Sequence, residues 1–141
     1  WITESKGSKE LKCQNCNYLN VFSDRLFKIA EESQQLILIK PVPTYPIKVS
    51  ESYLYRQTPL NQDITSNYSD WLSYINSFDI FLDKVDSENL IKFKSDEVFC
   101  DKYLDTCFAS KRGVIYYSDS NHLTKKGSSL LIDAIFKNLN N

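Results

Sequence analysis

The chain has a single histidine, His122, with Asp119 three residues before it in Tyr116-Tyr117-Ser118-Asp119-Ser120-Asn121-His122-Leu123-Thr124. A carboxylate at that spacing accepts the Nδ1–H of the imidazole, fixes its tautomer, and leaves Nε2 free to take a proton from a hydroxyl nucleophile. The pair is the candidate general base and orienting acid of such a reaction. By itself D-x-x-H more often describes an exposed loop histidine beside an ordinary acid, so its weight depends on its surroundings. The other chemistry-bearing side chains are four cysteines: Cys13 and Cys16, in Cys13-Gln14-Asn15-Cys16, and Cys100 and Cys107, which bound a polar stretch. A four-thiolate zinc site, a C-x-x-C redox pair and local disulfides all use such residues. The stretch between Cys100 and Cys107 is long for a zinc knuckle. No strand pattern precedes Cys13, as a thioredoxin-like pair would require.

Helices and strands must hold these groups in place. Phe22, Leu26, Ile29 and Ala30 fall at helical spacing, which predicts a helix over 24–33 with Ser23 as its cap. The apolar run 36–39 is too short for a helix and has no polar face, so it predicts a strand covered on both sides in a parallel sheet. Pro41, Pro43 and Pro46 then impose a stiff loop, at the strand end where ligands of open α/β sheets gather. The loop serves equally well as a plain rigid connection. Pro43, Tyr45 and the nearby Tyr53 are the candidate substrate contacts. A helix over 66–85 follows, marked by Trp71, Leu72, Ile75, Phe78 and Leu82, then a strand over 90–93, a polar loop over 100–107, and a last strand over 114–117. Thr124 caps a closing helix whose apolar face is Leu130, Leu131, Ala134, Ile135 and Leu139. Helix alternating with buried strand predicts an α/β fold, with Asp119 and His122 on the turn leaving the last strand. Trp71 and the many tyrosines and phenylalanines are expected to fill a core, and Lys125-Lys126 to be a solvated first helical turn.

With 141 residues, 42% hydrophobic and 25% charged, the chain is of single-domain size and has material for one core. Residues 1–141 read as one partial domain, of which 1–20 form a polar, cysteine-containing segment. Lys+Arg 17 against Asp+Glu 18 leaves a net charge of -1, which disfavours a nucleic-acid partner. No apolar run approaches the roughly 20 residues of a membrane span. The three glycines, Gly7, Gly113 and Gly127, build neither G-x-G-x-x-G nor a P-loop. No cofactor and no metal are assigned.

The block Asp119-Ser120-Asn121-His122-Leu123-Thr124 with Gly127 resembles the terminal motif of SGNH (GDSL-like) hydrolases, D-x-x-H-[LP]-[ST]-x-x-G. The strand ending in a Pro-x-Pro-x-aromatic loop, the Cys-bounded loop and Tyr-x-Asp-x-x-His-Leu-Thr are together similar to the extracytoplasmic SGNH domain fused to multi-spanning membrane O-acyltransferases. The resemblance spans about residues 22–139, and its last block is the specific part. It implies a three-layer, flavodoxin-like parallel sheet, of which this chain is the carboxyl-terminal part. It implies serine-type acyl transfer, an O-acetyltransferase or esterase acting on cell-surface carbohydrate, with Asp119 as orienting acid and His122 as general base. The implied partners are a carbohydrate acceptor, an acyl donor and a membrane acyltransferase domain in the same parent chain, on the extracytoplasmic side.

The family's Gly-Asp-Ser block is not recognisable, since Gly7-Ser8 lacks the intervening Asp and follows no buried strand. The nucleophile is therefore expected upstream of Trp1, and the 141 residues alone are expected to show no esterase turnover. Disulfides Cys100–Cys107 and Cys13–Cys16 are the preferred use of the thiols, and a Cys pair before the last strand is also a feature of the fused domains. A non-catalytic carbohydrate- or partner-binding module, or a four-cysteine zinc domain, is the alternative.

Overall fold

A computed structural model describes residues 16–55, 59 and 61–140, with side chains from residue 19 onward. In chain order the elements are α1 (Cys16–Glu32), β1 (Leu36–Ile39), α2 (Val49–Leu54), β2 (Thr65–Asn67), α3 (Tyr68–Lys84), β3 (Leu90–Phe93) and α4 (Asp96–Phe99). There follow β4 (Cys100–Asp101), β5 (Thr106–Phe108), β6 (Ser110–Lys111), β7 (Val114–Ile115) and α5 (Lys125–Leu139).

The two short aliphatic runs find each other. β1 and β3 pair in parallel, with Leu36 opposite Leu90 and Ile39 opposite Phe93, and the ladder extends through Lys40 N–H to the Phe93 carbonyl at 2.9 Å. The polypeptide between them supplies α3, as a parallel connection requires. Lys40, which follows β1, is buried with 4% of its surface exposed, and its Nζ lies 2.7 Å from Asp79 and 2.8 Å from Asp83, both on α3. Burial works against its charge, but the two carboxylates outweigh burial and raise the ammonium pKa, while the same contact lowers that of Asp83.

Four sequence expectations are corrected. The helix predicted over 24–33 begins at Cys16: Ser23 does not cap it but donates its hydroxyl to the Asn20 carbonyl from inside it, a way for serine to sit within a helix. β1 is partly exposed along its length, because β3 is its only hydrogen-bonded neighbour among the described residues. Ser66 and Asn67 do not begin a helix; they belong to β2, which pairs with β5, and the cap of α3 comes from elsewhere. Asp105 accepts hydrogen bonds from the Ser69 amide (2.7 Å) and hydroxyl (2.8 Å).

The fourth correction concerns the strand predicted over 114–117. Only Val114–Ile115 is a strand, and it pairs antiparallel with β6 rather than joining β1 and β3. The cause is the turn. Arg112 (φ 51°) and Gly113 (φ 78°) both occupy left-handed backbone, the geometry of a tight two-residue hairpin, and Asp63 holds the turn by accepting the Arg112 amide at 2.7 Å. Arginine seldom adopts that conformation, so the reversal left little trace in composition.

Mixed helix and strand, with one small parallel and two small antiparallel sheets, is thus the architecture among the described residues. The stretch over 100–107, expected as a polar loop, is the β4–β5 hairpin, with Cys100 directly opposite Cys107 and a disulfide between them. The core gathers Tyr45, Val49, Phe93, Phe99, Tyr117, Leu131 and Ile135, and Trp71 is buried as expected.

Candidate active site

The polypeptide enters the site through Tyr117, whose ring is fully buried edge-on to Tyr45 (centroids 4.8 Å) and Phe99 (5.5 Å). It leaves through Leu123, which forms an isolated antiparallel bridge back to Tyr117. Between these points the turn is stitched from its own atoms. Ser118 donates its amide (2.8 Å) and hydroxyl (3.0 Å) to the His122 carbonyl. Asp119 Oδ1 accepts the amides of Asn121 (2.9 Å) and His122 (2.8 Å), and Asp119 Oδ2 lies 2.7 Å from His122 Nδ1. Thr124 then accepts the Gly127 amide at 3.1 Å and donates to the Ile115 carbonyl at 2.8 Å, so it caps α5 and fastens that helix to β7 at once.

The two backbone amides, joined by the imidazole, hold the Asp119 carboxyl down at about 2. It is therefore ionised at neutral pH and only accepts hydrogen bonds, which makes Nδ1 the protonated nitrogen of a neutral imidazole. Nε2 carries the free lone pair. The His122 side chain is 74% exposed, and nothing among the described residues hydrogen-bonds Nε2. What the arrangement can do is accept a proton from an approaching hydroxyl and stabilise the resulting imidazolium with a fixed carboxylate.

Gly127 is needed where it stands. A Cβ there would lie 2.2 Å from the Tyr116 carbonyl oxygen, so only glycine lets the first turn of α5 close over the segment that leads from β7 into the Asp119–His122 turn. Lys125 and Lys126, in that same turn, are solvated.

The proline loop takes part differently from the expectation. Tyr45 donates its amide to the Ser120 carbonyl at 2.8 Å, so the loop buttresses the turn through backbone, and the Ser50 hydroxyl, on α2, adds a bond to the Tyr117 carbonyl at 3.3 Å. Two of the loop's side chains face inward. Pro43 is fully buried, Tyr45 is 4% exposed, and burial raises the pKa of its hydroxyl. Tyr53 is buried too, with its hydroxyl on the Gln62 carbonyl (2.7 Å) and on Ser110. Pro43, Tyr45 and Tyr53, expected as substrate contacts, are instead core side chains with little exposed surface: aromatic rings beside a stiff loop were wanted by the core. Ser118, Ser50 and Lys40 were not singled out from sequence. Ser118 lay within the motif, but the partners of Ser50 and Lys40 are remote in sequence.

Of the cysteine readings, the four-thiolate zinc site is overturned, because Cys100 and Cys107 are joined to each other. Among the described residues no group of three or more His, Cys, Asp or Glu side chains is arranged to hold a metal ion. The pairing of Cys13 with Cys16 lies outside the described side chains.

A family model described as the SGNH domain fused to AT3 domains matches residues 8–137. The chain belongs to the SGNH domain family. No curated protein and no solved structure matches it. Membership makes this SGNH domain a hydrolase- or acyltransferase-related module of a type joined to acyltransferase domains. Among its described residues no helix is long and apolar enough to cross a membrane.

Proposed function

We propose that this SGNH domain supplies the acid and base of a serine-type acyl-transfer centre, an O-acetyltransferase or esterase acting on cell-surface carbohydrate. The observation that carries the reading is the 2.7 Å contact between Asp119 Oδ2 and His122 Nδ1, with Nε2 left open to solvent. His122 Nε2 removes the proton of a serine hydroxyl as the serine oxygen attacks the acyl carbonyl, and the imidazolium then protonates the departing group. In the second half His122 deprotonates the acceptor sugar hydroxyl, or water, which takes the acyl group and releases the serine. Asp119 holds the imidazole in one tautomer throughout. No serine of the described residues is assigned as that nucleophile.

The complete protein is read as a three-layer α/β domain containing β1 and β3, tethered to a membrane acyltransferase domain on the extracytoplasmic side, where the Cys100–Cys107 disulfide is stable. The test is acyl transfer to polysaccharide by the parent protein carrying His122→Ala. Losing one positioned base lowers the rate about 10²- to 10⁴-fold. Transfer at the parental rate by a folded His122→Ala variant sinks the proposal.

A further inference from the structure

On the face formed by α4 and the β4–β5 hairpin lies an open groove of about 440 Å³, within the range of about 300–1,000 Å³ usual for small-ligand sites. Phe108, Tyr116 and Leu130 give it an apolar wall, and the ring of Tyr103 stands at its rim entirely exposed. That exposure is built in. Asp101 Oδ1 accepts the amides of Tyr103 (3.0 Å) and Leu104 (3.1 Å), Thr106 donates its hydroxyl to the Leu104 carbonyl at 2.8 Å, and the disulfide closes the base of the hairpin. The backbone of so constrained a tip has little further freedom to lose on binding, which leaves only the ring's own torsions to be ordered.

The polar lining is balanced in sign. Lys102 is taken up by Asp96 at 3.2 Å and Glu97 at 3.9 Å. Lys111 Nζ lies 4.2 Å from the centre of the Phe108 ring and meets no carboxylate among the described residues, which leaves it and Asp101 as opposite charges facing one groove. A ligand with a flat C–H face for Tyr103, and hydroxyls that both donate to Asp101 and accept from Lys111, meets all of these groups. We infer that the groove binds an uncharged pyranose glycan, stacked on Tyr103, as a subsite for the acceptor polymer.

The inference rests on the proposed acyl-transfer function for why a glycan should reach this face. Five residues lie between Tyr116 in the groove and His122, a chain length of at most about 22 Å, so the groove and the imidazole are no further apart than an extended oligosaccharide can span. Asp101, Glu97 and Asp105, set against Lys102 and Lys111, leave the tip no net positive charge to draw it to an anionic lipid surface.

The test titrates the isotope-labelled 141-residue chain with cellohexaose and chitohexaose, following backbone amides by NMR. The amides around 97–104, 108, 111 and 116 are expected to shift and saturate. Tyr103→Ala, at a site that touches no core, lowers the affinity about tenfold, and Tyr103→Phe retains it. Absence of saturable shifts with both sugars, or shifts indifferent to Tyr103→Ala, overturns the inference. Tyr103-dependent sedimentation with phosphatidylglycerol vesicles, without a sugar response, also overturns it. Sugar binding that persists in a parent protein whose acyl transfer proves indifferent to His122→Ala keeps the subsite and removes the catalytic reading.

Discussion

At the scale of single residues the site is a carboxylate with three hydrogen-bond donors. Two are amides of its own turn, and these, more than the imidazole, depress its pKa. Because the folded value lies near 2, below the ordinary 3.8, protonation favours the unfolded chain. The stability Asp119 contributes is complete above the ordinary value and disappears as pH falls toward 2. Carboxyl NMR of the folded chain is expected to show Asp119 titrating below the ordinary 3.8, with the Asn121 and His122 amides moving in the same step. A midpoint near 3.8 contradicts the hydrogen-bond account. Asp119, His122 and Thr124 were legible as a group because their contacts reach no further than three residues along the chain or to the adjoining strand. Tyr45 was misjudged because the composition around a proline loop does not say which way a ring points. Its burial comes with its edge-on packing against Tyr117, which is remote in sequence.

At the scale of elements, the turn carrying Asp119 and His122 is held between β7 and α5, and the fit of those two elements sets its shape. Gly127→Ala would drive a methyl into the Tyr116 carbonyl, so either α5 lifts or the strand end bends. The expected cost is about 2–3 kcal/mol, read as a lower urea midpoint, and the His122 ring signals should shift although the substitution does not touch that ring. Unchanged stability would mean the helix start is not tightly seated. The closing helix itself was plain from periodicity, and so was its Thr124 cap. The hairpins were not: the Arg112-Gly113 reversal requires a left-handed arginine, and the cap of α3 is a carboxylate 36 residues away from the serine it holds.

At the scale of the whole molecule, the parallel pair β1 and β3 is tied to α3 by one buried ammonium between two carboxylates. Lys40→Met leaves Asp79 and Asp83 facing each other without a counter-charge. Because both carboxylates retain some solvent, the expected loss is about 1–2 kcal/mol rather than the larger cost of a fully enclosed pair. The loss should shrink at pH 4, where protonation relieves the repulsion, and urea unfolding at pH 7 and pH 4 reads the difference. A loss independent of pH would show that packing of the lysine stem, and not charge, is what matters.

The amino-acid sequence by itself determined the Asp119–His122 pair, the Cys100–Cys107 bridge, the faces of the helices and the two aliphatic strands, since each depends on neighbours a few residues apart or on a periodicity written along one segment. Tertiary structure alone decided that β7 turns back on β6, that the proline loop buttresses the site through its backbone while its rings enter the core, and that Asp105 caps α3. Strands of two or three residues carry too little pattern to choose a partner, and the direction of a ring or the partner of a carboxylate is set by whichever distant group the closed fold brings alongside.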